Sequence, residues 1–125
     1  MRKIIPAVLA VAAAASLGGT VLAHAYSAPS TTSLRYDEDG GEFRGRVASP
    51  RRSCEDSRKI KLVKHTSSGN DVVGRTRSNS KGRWSIEKEN ASGAYSAIVV
   101  RRDRTPPGHV HACQRGTSGT VTVDP

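Results

Sequence analysis

The chain has 125 residues, with 20 Lys or Arg against 11 Asp or Glu, a formal net charge of +9 and 4% aromatic residues. That length accommodates one domain, and so few aromatics leave little for base stacking, which argues against a nucleic-acid partner. The positive balance suits an anionic partner, and it also suits simple solubility.

Arg2 and Lys3 precede an uncharged apolar run from Ile4 to Leu17, which is shorter than the roughly 20 residues that span a bilayer. Gly18 to Thr20 interrupt it, and Ala23-His24-Ala25 supplies the small-x-small pattern of a signal peptidase site. Residues 1–25 are therefore predicted to be a cleavable signal peptide cut between Ala25 and Tyr26, with a secreted, extracellular product and no transmembrane anchor. Without Arg2 and Lys3 the remainder holds 18 basic and 11 acidic residues, a charge of +7. Residues 26–33 read as a flexible N-terminal arm, and 34–125 as a single domain.

That domain has only 15 Leu, Ile, Val and Phe, so its core is expected to be thin. Its apolar residues are mostly β-branched or aromatic and fall in short runs. Strands are predicted at Leu34 to Tyr36, Glu42 to Ala48, Lys59 to Thr66, Val72 to Arg77, Arg83 to Glu87, Ala94 to Arg101, Val110 to Cys113 and Thr120 to Val123. Turn chemistry separates them, as in Asp39-Gly40-Gly41, Ser67-Ser68-Gly69-Asn70 and Thr105-Pro106-Pro107-Gly108. The expected class is all-β: one antiparallel sandwich of seven or eight strands. Alternation puts Phe43, Gly45 and Val47 on one face and Arg44 and Arg46 on the other, and it sets Ile60 and Leu62 against Lys59 and Lys61.

Two cysteines in an exported chain read first as one disulfide, Cys54 with Cys113, with free thiols or an intermolecular bond as the alternatives. The order Cys54, Trp84, Cys113 occurs in immunoglobulin-like domains, but the spacing to the Trp is too long and Cys54 sits in a polar stretch. The bridge is expected to tie that loop to the strand ending at Cys113.

Three signatures follow in order: Gly45-Arg46-Val47, then Thr76 with a Ser/Asn-rich turn into Gly82-Arg83-Trp84, then Gly93-Ala94-Tyr95. Together, over residues 42–101, they resemble the transthyretin-like (prealbumin-like) and carboxypeptidase regulatory-like β-sandwich domains. The resemblance implies an accessory, adhesive or binding module, and it names no partner.

No constellation names a reaction. His109, His111 and Cys113 would share a strand face as metal ligands do, but a disulfide at Cys113 leaves an incomplete set, so no metal and no cofactor are expected. The serines lie in turn-like contexts without a nucleophile elbow, and no catalytic residue is assigned. Asp37-Glu38-Asp39-Gly40 lacks the rest of a calcium loop and reads as a solvated or Arg-paired turn. Asn90-Ala91-Ser92 is a formal glycosylation sequon. Arg44, Arg46, Lys59 and Lys61 are the candidate anion-binding residues, outward-facing on strands expected to neighbour one another. The expected function is a secreted, non-enzymatic module that binds through its surface. The alternative is a binder of anionic polymers or cell-envelope components through a basic sheet face, with a small hydrolase or metal protein well behind.

Overall fold

A computed structural model describes residues 25–104 and 110–125. Most of the predicted signal peptide, including Ala23, lies outside the described residues, as do the turn after Arg104 and His109. The chain is all-β. Its strands are β1 (Ala25–Ala28), β2 (Thr31–Thr32), β3 (Arg35–Asp37), β4 (Glu42–Ala48), β5 (Lys59–Thr66), β6 (Gly69–Arg77), β7 (Arg83–Glu87), β8 (Gly93–Val99), β9 (Arg102–Arg104), β10 (Val110–Cys113), β11 (Gly116–Thr117) and β12 (Val121–Val123), with a 3-10 turn at Arg52–Cys54. The bounds of β4, β5, β7 and β10 are those the sequence predicts; β1, β2, β9 and β11 are additional.

By its contacts the chain divides into two units, one of Ser27–Asp103 with Ala112–Pro125, the other including Tyr26 and His111. In the second unit the Tyr26 and His111 rings stack with centroids 4.3 Å apart. β10 lies between β1 and β9 in a three-stranded sheet. The first unit holds two further sheets. In one, β4 pairs with β7 on one side and with β2 and β3 on the other; in the second, β5 lies between β6 and β8, and β8 also pairs with β11 and β12.

These two sheets enclose the core. Phe43, Val47 and Trp84 come from one, Ile60, Leu62, Tyr95, Ala97 and Val99 from the other. The Phe43 and Tyr95 rings meet between the layers at 4.6 Å. Gly45 stands opposite Trp84, and a Cβ there would lie within 3.0 Å of both the indole and the Ser33 carbonyl. Its part in the Gly-Arg-Val signature is close packing. Gly82 has φ of 81°, the left-handed conformation that ends the turn into Trp84.

The expected flexible arm is a correction. Thr31 and Thr32 pair with Ala48 and Val47, and Ala28, Ser30 and Thr32 are buried. The physical reason is the indole of Trp84, 5% exposed, whose N–H needs an acceptor once it leaves water. Trp84 Nε1 donates to Thr32 Oγ1 at 2.9 Å. By their contacts residues 27–33 group with the sandwich strands, and Arg104 and His111 with the other unit.

Cys54 and Cys113 form the disulfide, with Cα atoms 5.4 Å apart. It joins the end of the 3-10 turn to the end of β10, as the polar surroundings of Cys54 imply. Beside it lies Arg58, which is 0% exposed. Its Nη1 donates to Ser30 Oγ (2.8 Å) and the Cys54 carbonyl (2.7 Å); Nη2 donates to the carbonyls of Val100 (2.8 Å) and Gln114 (3.0 Å). Among the described residues no carboxylate pairs with this cation, and neutral oxygens from four stretches of chain disperse its charge. Burial, and then the nearby Arg102, lower its pKa to about 10.

Candidate anion-binding site

The four candidate cations lie on outer faces, but not on one face. Arg44 and Arg46 belong to β4 and Lys59 and Lys61 to β5, and these strands are in different sheets. The expectation that the strands neighbour one another is corrected. The 3-10 turn and the residues after it carry the chain from one layer to the other, with the disulfide at that crossing.

β6 reconnects them. Between Leu62 and Val63 the β5–β6 register shifts by one residue, so that Lys61 faces Arg75 and Lys59 faces Arg77. Directly opposed residues of antiparallel strands share a face, so this outer surface carries two cation–cation pairs. The same happens on the other sheet, where Arg46 faces Arg83 and Arg44 faces Arg35. Like charges directly opposite one another are destabilising, by up to about 1 kcal/mol a pair.

Their compensation is uneven. Arg44 is paired with Glu42 and, at 3.4 Å, with Asp37, and its pKa is raised above the ordinary arginine value by the Glu42 hydrogen bond first and the Glu42 charge second. Asp37 Oδ1 also accepts from the backbone N–H groups of Asp39 (3.1 Å) and Gly40 (3.3 Å), so the acidic turn is closed on itself and on arginine. Arg46 Nε donates to the Lys81 carbonyl at 3.1 Å, and Arg77 Nη1 to the Ser57 carbonyl at 3.3 Å. Arg35, Arg75, Arg83, Lys59 and Lys61 have no ion pair with a carboxylate among the described residues.

Two open grooves run through these residues. The first, about 640 Å³, is lined by Arg35, Arg44, Arg46, Arg77 and Arg83 together with Ser33, Thr76, Asn79 and Ser85, and by no carboxylate among the described residues. A second, about 510 Å³, lies along Lys59, Lys61, Arg75 and Arg77. Thr76 and Arg77 border both. Arginine presents planar, forked donors that match the oxygens of phosphate, sulfate or carboxylate. A row of such forks, in which Arg44 is ion-paired with Glu42 and Asp37 while Arg35 and Arg83 have no ion pair among the described residues, is chemically equipped to hold a multiply charged anion.

The sequence named Arg44, Arg46, Lys59 and Lys61 but missed Arg35, Arg75, Arg77 and Arg83. Arg83 was legible as the outward neighbour of Trp84, and Arg35 as the neighbour of inward Tyr36. Arg75 and Arg77 were not, because an unshifted hairpin would set Gly74 opposite Lys61.

One catalytic-looking cluster also exists. His65 Nδ1 lies 2.8 Å from Asn70 Oδ1 and Nε2 lies 2.9 Å from Ser96 Oγ, so Ser96 is a mid-strand serine with a histidine partner, which the sequence reading did not foresee. Ser96 is 5% exposed and borders neither groove, so the cluster ties β5, β6 and β8 together. Cys113 is oxidised, and its sulfur is not available to the His-x-His-x-Cys set. No family model matches the chain, and no curated protein or solved structure matches it either.

Proposed function

We propose that this chain is a secreted, non-enzymatic β-sandwich module that acts by binding an anionic polymer, and that the arginine groove is its binding site. The observation that carries the reading is the groove itself, lined among the described residues by five arginines and no carboxylate. Two pairs of those arginines face each other directly across strands, an arrangement that an intervening anion relieves. The disulfide supports an oxidising compartment, in keeping with the predicted leader. The three signatures that resemble transthyretin-like domains support a scaffold on which surface residues do the binding.

The test is salt elution from immobilised dextran sulfate and polyphosphate. The variant Arg35→Gln/Arg46→Gln/Arg83→Gln should elute at clearly lower salt than Lys88→Gln/Arg101→Gln/Arg115→Gln, which loses the same charge outside the groove. Equal elution of the two variants would reduce the binding to net charge and overturn the assignment.

A further inference from the structure

Resting on that reading, we infer that the ligand is a linear, phosphate-bearing chain that runs through both grooves, crossing from one sheet to the other over Arg77. Three observations lead there. The first is continuity, since Thr76 and Arg77 border both grooves and Ile86 of β7 fills the space over Gly74 of β6, which brings the free edges of the two sheets together at that point. A compact anion would occupy one groove. Only an extended one uses both.

The second observation is spacing. Arg75 and Arg77, and likewise Lys59 and Lys61, alternate along their strands and repeat at about 6.6 to 6.8 Å, two residues of strand rise. Each has a cation directly opposite: Arg46 with Arg83, Lys59 with Arg77, Lys61 with Arg75. The result is a ladder of paired cations, each rung suited to one charged group. A chain with one phosphate per short, flexible repeat places its charges in that manner.

The third is what the grooves lack. Among the described residues the only aromatic lining either is Trp84, and its indole is buried and engaged with Thr32. No flat apolar platform is offered to a sugar ring or a base, so the surface is equipped to read charges along a backbone and little else. That favours a phosphate chain over a sulfated glycan or a nucleic acid.

The experiment is calorimetric titration of the full exported chain with tripolyphosphate, long-chain polyphosphate, poly(glycerol phosphate) and dextran sulfate. Joining two weak sites on one chain raises affinity by about 10²-fold or more, so either long phosphate polymer should bind at least that much tighter than tripolyphosphate. The two polymers distinguish an anhydride chain from a diester chain as the source of the phosphates. Lys59→Gln/Lys61→Gln should weaken the long chain and leave tripolyphosphate unchanged, and Arg77→Gln should weaken both, the long chain more. Equal affinity for short and long chains, or binding of dextran sulfate without either phosphate polymer, would overturn this inference and leave the anion-binding function standing. No binding to any of the four would overturn the function as well.

Discussion

Replacing Arg58 by methionine keeps most of the side-chain volume and removes every donor that the guanidinium supplies. Four acceptors at 3.0 Å or closer would lose that partner: Ser30 Oγ and the carbonyls of Cys54, Val100 and Gln114. Two of these bonds are buried and two, to Val100 and Gln114, are half-buried; at about 1 to 3 kcal/mol for each orphaned group, the gross loss is at most about 4 to 12 kcal/mol. Several kcal/mol return because a cation no longer has to leave water. The expected net destabilisation is about 3 kcal/mol, a large part of the roughly 5 to 15 kcal/mol that holds a domain folded.

Urea unfolding followed by fluorescence of Trp84, the single Trp, measures it. A second readout comes from pH. The folded Arg58 pKa is lowered to about 10, so above pH 10 the folded state releases a proton that the unfolded chain still holds. This contribution rises with pH and is absent from the methionine variant, so the wild type's advantage over that variant should widen between pH 9 and pH 11. An unchanged urea midpoint, or an advantage that shrinks over that range, would refute the account of Arg58 as a buried and charged hub.

The disulfide closes a loop with a sequence separation of 59, and replacing Cys54 and Cys113 by alanine should cost about 4 kcal/mol on the chain-entropy account, read as a lowered urea midpoint without reductant. Thr32→Val removes the acceptor of the Trp84 indole and keeps its shape. A loss of about 1 to 3 kcal/mol is expected for the buried N–H left unpaired, together with faster amide exchange at Ser33, which donates to Arg46. No change in either would return residues 27–33 to the status of an arm.

The fold was legible where alternation was clean. Phe43, Val47, Trp84, Ile60 and Leu62 all face the core as their period-2 patterns require, and Cys54 with Cys113 followed from cysteine number and the expectation of export. Two things were not. Thr31 and Thr32 look like any polar tail, because their place depends on an indole 52 residues further on. Arg58 reads as one of a basic pair with Lys59, and only the neutral carbonyls that gather around it reveal a buried cation. The site was half legible for a related reason. Local sequence tells which residues point outward, but whether Arg75 joins Lys61 on one face depends on a one-residue shift between strands, which nothing in the sequence of either strand marks.

The acceptors of Arg58 also set an order of events. Ser30 precedes it, Cys54 is four residues away, Val100 is 42 residues later and Gln114 is 56 residues later. A growing chain that has reached only β8 offers two of the four acceptors, Ser30 Oγ and the Cys54 carbonyl, so the Nη2 side of the guanidinium stays in water and holds its loop open. Closure waits for the last strands. Contacts this distant in sequence slow folding, and the sandwich should form as a single late step after nearly the whole chain has been made.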